Sequence, residues 1–264
     1  MNVLLTSVGR RGYLVSYFRE ALRGSGKVIA ANTLTDTPGM YAADEAIVVP
    51  ASHDPGYVNA IERICLDHKV GLLCSLHDLD TFVLARHRDR LAHTGAIPVL
   101  PDPDWARICL DKHECGVLLE QKGFQVPWTC VSLAEAEAAL ADGRVRFPLI
   151  VKARIGFGSA GLHVCHDRTE LKTWHRQAVT ELAESVVQQF FPLPEEASVL
   201  IQEALAGPEF CVDVVNDLGG RYISHFGCEV HSMRAGESDT ATTVDPVIVG
   251  ELPVKLSGLT RHPG

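Results

Sequence analysis

Aromatic residues are scarce in this 264-residue sequence, at 6%, and long apolar runs are missing. No stretch approaches the roughly 20 apolar residues that a membrane-spanning helix needs, so no membrane partner is expected. Nor does a basic segment precede the first apolar run, which begins at Asn2; the chain reads as soluble and cytoplasmic, without a secretory leader. A surplus of positive charge is lacking too: 24 Lys and Arg face 33 Asp and Glu, for a formal net charge of −9. Neutralising a nucleic-acid backbone takes clustered Lys and Arg, so no nucleic-acid partner is expected and any phosphate binding has to be local. The eight cysteines never form a C-x-x-C pair, which argues against a disulfide framework and a zinc ribbon. Also absent are the Gly-x-x-x-x-Gly-Lys-Ser/Thr phosphate loop and the Gly-x-Ser-x-Gly nucleophile elbow, which disfavours phosphate-loop kinase and serine-hydrolase chemistry. What the sequence does have is apolar material, 46% of its residues, enough for a sizeable core in two domains or one large one.

Short apolar runs at 3–8, 27–32, 46–49 and 70–76 read as strands, and the stretches 13–22 and 57–68 between them carry an apolar stripe at helical spacing. Strands alternating with helices predict a parallel sheet covered on both faces, with ligands gathering at the carboxyl ends of the strands. Two loops there carry polar groups. In Gly9-Arg10-Arg11-Gly12 the backbone N–H groups and two guanidiniums suit a carboxylate or phosphate, or the segment is a solvated turn. In His77-Asp78-Leu79-Asp80, Asp78 is placed to cap the next helix and Asp80 to accept from a substrate amine. Pro98, Pro101 and Pro103 interrupt the pattern, and a domain boundary is set near Pro101. Residues 105–122 then read as one or two helices, with Asp111-Lys112 between them and Lys112, on its own, an ordinary surface lysine.

Ser132-Leu-Ala-Glu135 forms a capping box ahead of a helix ending near Asp142-Gly143. A strand at 148–154 leads into Gly156-Phe-Gly-Ser-Ala-Gly161, followed by alternating apolar and polar residues at 162–166 and a helix from near Thr169. The spelling G-x-G-x-x-G fits a dinucleotide-binding turn, with Glu181 or Glu184 as the later acid. That turn needs a helix directly after the glycines, whereas strand, glycine loop, strand describes a hairpin flap. Backbone N–H groups of Gly156, Gly158, Ser159 and Gly161 then close over a triphosphate, while Lys152 on the incoming strand supplies positive charge; the plainer alternative is a mobile surface hairpin. Further strands at 198–205 and 209–215 flank a turn at Ala206-Gly207-Pro208. The backbone of 203–205 suits an adenine edge and Glu209 suits ribose hydroxyls, though each carboxylate alone is an ordinary strand end. His163-Val-Cys-His166 splits its ligands between two strand faces, so no metal site is assigned there.

Lys112, Lys152, the 156–161 flap, Gln202-Glu203-Ala204-Leu205, Gly207-Pro208-Glu209 and Asp213 together resemble the ATP-grasp superfamily in order and spacing over about residues 100–217. With its strand-helix first half the chain is similar to the carboxylate-amine ligases and to the ATP-binding halves of carbamoyl-phosphate synthase. Met233-Arg234-Ala235-Gly236-Glu237 resembles a segment of the pyrrolysine-ligase-like branch. The resemblance implies an α/β protein with a Rossmann-like pre-ATP-grasp domain at 1–100 and an ATP-grasp domain at 101–264. The second divides into a helical linker at 101–125, a glycine-flap subdomain at 126–190 and a partial C-terminal nucleotide-binding subdomain at 191–264.

It also implies that Lys112 and Lys152 contact ATP phosphates, that Gln202, Glu203, Ala204 and Leu205 line the adenine site, that Glu209 binds ribose, and that Arg234 faces an acyl phosphate, with Lys152 beside it in catalysis. The implied reaction activates a small-molecule carboxylate with ATP and Mg²⁺ and joins it to an amine, with a homodimer as the assembly to test. The family's magnesium ligands, a Glu and then Glu-x-Asn on late strands, have no match after Glu237, and Asp239 and Asp245 lack the spacing. The metal ligands are therefore expected beyond Gly264, in a truncated ligase. The alternative is a nucleotide-binding or regulatory module that has lost turnover.

Overall fold

The computed structural model describes residues 1–264 except Phe157, Ser159, Ala160, Val186 and Ala235. The flap position Ser159 thus lies outside the described residues. The chain forms two units, the first made of residues 1–107, 214–225 and 251–264 and the second of 108–213 and 226–250.

In the first unit, strands β1 (Asn2–Thr6), β2 (Val28–Asn32), β3 (Glu45–Val48), β4 (Val70–Ser75) and β5 (Ile97–Val99) alternate with helices α1 (Gly12–Leu22), α2 (Pro38–Ala42), α3 (Tyr57–Asp67), α4 (Asp78–Ala85) and α5 (Arg88–Ala92). The strands pair in parallel in the order β3-β2-β1-β4-β5. Period-two alternation explains why both faces are covered. Val3 and Leu5 of β1 enter one core with Val15 of α1 and Met40 of α2, while Leu4 enters another with Ile61, Ile64 and Cys65 of α3. The order reverses between β1 and β4, whose carboxyl ends carry Thr6 and Ser75. Asp78 does not cap α4: it is the first helical residue, His77 holds the cap position, and no side-chain cap bond forms.

Helix α6 (Pro103–Leu110) runs from the first unit into the second, followed by α7 (Lys112–Gln121), β6 (Thr129–Cys130), α8 (Leu133–Ala141), β7 (Leu149–Ala153), β8 (His163–Cys165), α9 (Arg168–Ala183), α10 (Val187–Phe190) and β9 (Val199–Glu203). The second unit's sheet has the order β6-β9-β7-β8 and is antiparallel throughout. Its core face, with Leu149, Val151, Val199 and Ile201, packs under Ala136 and Ala139 of α8 and Leu171, Ala178 and Leu182 of α9. Ser132 caps α8 by accepting the Glu135 N–H at 3.5 Å, and Asp167 caps α9 through the N–H groups of Thr169 and Glu170.

A three-stranded sheet, β10 (Glu209–Asn216), β11 (Tyr222–Arg234) and β12 (Glu237–Val244), precedes α11 (Leu252–Thr260). Residues 214–225 of this sheet belong to the first unit, where Asn216 donates to the His262 carbonyl at 2.8 Å and accepts from Ser257 at 2.6 Å. Among the described residues no helix is long and apolar enough to cross a membrane.

Candidate functional site

One face of the β6-β9-β7-β8 sheet is taken by the core, so the residues between its core positions emerge on the other face. Lys152 and Ile150 of β7 come out there, together with Gln202 of β9 and Thr129 of β6, because Gln202 pairs with Ile150 on one side and Thr129 on the other. The Lys152 ammonium donates to Gln202 Oε1 at 2.7 Å and meets no carboxylate among the described residues. Burial pushes it below the usual lysine range, with no neighbouring charge to offset that shift. A half-buried ammonium whose charge the protein leaves uncancelled is a place for an anion.

From β7 the chain passes through the glycines and returns antiparallel as β8, with Leu149 opposite Cys165 and Val151 opposite His163. A dinucleotide turn belongs to a parallel strand-helix-strand unit, whereas β7 and β8, the strands on either side of the glycines, pair as an antiparallel hairpin. Gly158 and Gly161 adopt φ of +70° and +65°, a region that favours glycine. The base of the hairpin is tied to the start of α7. Lys112 donates its N–H to the Arg154 carbonyl at 3.1 Å and its ammonium to the Gly156 carbonyl at 2.7 Å.

Beside it the Arg154 Nε lies 2.9 Å from each Asp111 oxygen, and the same carboxylate caps α7 by accepting from the His113 and Glu114 N–H groups at 3.0 and 3.1 Å. Burial alone would raise the Asp111 carboxyl. The Arg154 hydrogen bond and the two N–H groups outweigh it and hold the carboxyl below the usual carboxylate range. At the far end of the hairpin, a Cβ on Gly236 would sit 2.8 Å from the Gly158 Cα, and Gly236 has φ +78°, so this position requires glycine. That approach sets the β11-β12 turn, which follows Arg234, against the hairpin; Arg234 itself is exposed and pairs with Asp239 at 3.0 Å.

The sheet ladder stops at the end of β9. Glu203 donates its N–H to the Trp128 carbonyl at 3.0 Å, and Ala204 donates to the Pro148 carbonyl at 3.2 Å. The Trp128 N–H turns instead to Glu203 Oε1 at 2.9 Å. The Glu203 carbonyl and the Leu205 N–H are left without a protein partner among the described residues. An acceptor and a donor spaced in this way along one backbone complement the amino group and neighbouring ring nitrogen of adenine. Residues 3–100 match the family described as PylC-like, N-terminal domain, and residues 145–247 match the ATP-grasp domain family. Residues 145–247 carry an ATP-grasp domain.

The chain is similar to known proteins in both sequence and fold. The carbamoyl phosphate synthase large chain of Bifidobacterium animalis subsp. lactis is 27% identical over 161 residues, 60% of this chain and 14% of that protein. The biotin carboxylase domain of Hydrogenobacter thermophilus 2-oxoglutarate carboxylase, solved as a dimer with MgADP, ADP and bicarbonate, superposes with a TM-score of 0.71 at 16% identity, over 98% of this chain and 57% of that one. N5-carboxyaminoimidazole synthetase from Staphylococcus aureus, solved with ADP, gives 0.70 at 14% identity, over 98% and 63%. At these identities the two solved structures establish the fold, a parallel-sheet first domain followed by ATP-grasp sheets. This chain spans about 60% of their length and a much smaller share of the synthase.

Lys112, Lys152, Gly156, Gly158, Gly161, Gln202, Glu203, Ala204, Leu205, Glu209 and Arg234 all lie in the second unit. Glu209 opens β10 and is exposed. Arg10, Arg11 and Asp80 belong to the first unit. Asp80 is 1% exposed and its carboxylate accepts from Thr6 and Tyr57 and, at 2.9 Å, from Ser75, so it serves an internal network at the carboxyl edge of the parallel sheet. Burial first, and then the Asp80 charge, raise the Tyr57 hydroxyl's pKa. Sequence reasoning passed over Asp111, although Asp111-Lys-His-Glu114 has capping-box spacing, and over Thr129, whose partner lies 73 residues away.

The described residues do not fit a magnesium site. No group of three His, Cys, Asp or Glu side chains comes together among them. Asp239 pairs with Arg234, and Asp245 caps a short 3₁₀ turn through the Val247 N–H at 2.9 Å.

Proposed function

We propose that this protein is an ATP-dependent ligase, in which a carboxylate oxygen attacks the γ-phosphorus of ATP, ADP leaves, and an amine then displaces phosphate from the acyl phosphate. The observation that carries the reading is the antiparallel pairing of β7 with β8 on either side of the glycines, with Lys152 on β7 and Lys112 bonded to the Gly156 carbonyl. ATP supplies the driving force and the leaving phosphate. The protein's part is placement and charge: Lys152 and Lys112 meet phosphate oxygens, the hairpin N–H groups cover them, the Glu203 carbonyl and Leu205 N–H orient the base, and Glu209 takes the ribose. Arg234, on the strand that turns against the hairpin, is assigned to the acyl phosphate, and Arg10 and Arg11 to a substrate carboxylate. The family match and the ADP-bound fold neighbours support this assignment.

Calorimetry with ATP, ADP and NAD tests it. ATP and ADP should bind and NAD should not; tighter binding of NAD than of ATP would overturn the nucleotide reading. Phosphate release against a pool of carboxylates and amines tests turnover, and ADP formation that ignores added carboxylate would count against a ligase.

A further inference from the structure

An ammonium has three protons and no lone pair, so every neighbour it bonds must accept. That requirement runs through the face of the second unit's sheet opposite its core. Gln202 presents Oε1 to Lys152 at 2.7 Å, so its Nε2 faces the other way and donates to Thr129 Oγ1 at 2.8 Å. The Thr129 hydroxyl donates its own proton to the Pro127 carbonyl at 3.0 Å. The chain of bonds therefore has one direction, from the ammonium to a fixed main-chain oxygen, and bonds in such a series polarise one another. Its members sit on three strands, with Thr129 73 residues and Lys152 50 residues from Gln202.

We infer that Thr129 is a positioning residue for Lys152: its hydroxyl fixes the Gln202 amide with the carbonyl end toward the ammonium, which holds Lys152 at the mouth of the glycine hairpin. Because the acceptor at position 202 is a neutral amide, the lysine is oriented without losing its charge, and that charge stays free for an anionic ligand. The identity of that ligand as ATP rests on the proposed function; the positioning itself does not.

Thr129→Val keeps the branched shape and removes the hydroxyl, whereas Thr129→Ser keeps the hydroxyl. Labelling of the full chain with acetic anhydride at fixed pH without nucleotide, read by mass spectrometry, gives the reactivity of Lys152 relative to Lys172 in the same molecule. The ratio should rise about three- to tenfold in Thr129→Val, the range of one net hydrogen bond, and return to wild type in Thr129→Ser. Calorimetry should show ATP weakened by about the same factor in Thr129→Val, with adenosine unaffected. In a Gln202→Glu background, where both ends of the side chain accept, Thr129→Val should no longer change the Lys152 ratio. An unchanged ratio in the single variant, or an undiminished effect in the Glu background, overturns the inference. A wild-type chain that binds no ATP while the labelling behaves as expected overturns the nucleotide reading and leaves the positioning role in place.

Discussion

Lys152 reaches its position because the alternation of β7 sends Val151 and Ala153 into the core and leaves the residue between them, half-buried, on the opposite face. Its ammonium is partly desolvated and bonded to an amide rather than to a carboxylate, so a phosphate gains a charge-assisted contact that the protein does not already satisfy. Lys152→Ala should therefore weaken ATP by roughly one to two decades, equivalent to about 1.5–3 kcal/mol, while adenosine binding changes little. Paired titrations with the two ligands check this. Equal losses would assign Lys152 to holding the strand rather than to phosphate. The sequence places Lys152 on a strand leading into the glycines, and it lies on β7. The orientation of its amide partner was not legible in the sequence, because it depends on a pairing between β6 and β9.

At the scale of elements, the start of α7 and the end of β7 are clamped by one carboxylate. The Asp111 and Arg154 side chains are 5% and 13% exposed, and Asp111 also serves two N–H groups at the helix start. Asp111→Ala removes the cap and strands a buried guanidinium, so the expected loss is about 3 kcal/mol or more, measured by urea unfolding. The pH dependence follows from the carboxyl being held below its unfolded value. Its contribution is complete above the unfolded pKa of about 4 and disappears as the pH falls through the lower folded value, so wild type and Asp111→Asn should converge in stability only in acid. The hairpin was legible because alternation at 162–166 ruled out a helix directly after the glycines. Asp78 misled because an acidic residue in the first turn and one at the cap look alike in sequence, and the structure begins α4 one residue earlier than a cap would require.

For the whole molecule, composition and periodicity were enough to read a covered parallel sheet and then a strand-rich second half. They did not show that stretches far apart in sequence make up one unit, because such assembly depends on tertiary contacts such as Asn216 with His262. The proposed nucleotide contacts all fall in the second unit. Hydrogen exchange with saturating ATP should accordingly slow amides at 111–113, 149–165 and 199–205 and leave β2 and α3 nearly unchanged. Slowing of α3 equal to that of the hairpin would show that the response is not confined to the second unit.

The interleaving of the two units also sets an order of events during synthesis. Residues 1–100 supply the five strands of the parallel sheet and leave the ribosome before 101–264, so that sheet can form before the rest of this sequence is made. The first unit still waits for 214–225, which follow nearly the whole ATP-grasp sheet, and for 251–264, where Gly264 comes to lie against Val99 and His262 receives Asn216. The unit whose five parallel strands are translated early therefore receives 251–264 only after β12 of the second unit has been made, and a nascent chain paused between 107 and 213 carries a first unit with its later segments still missing.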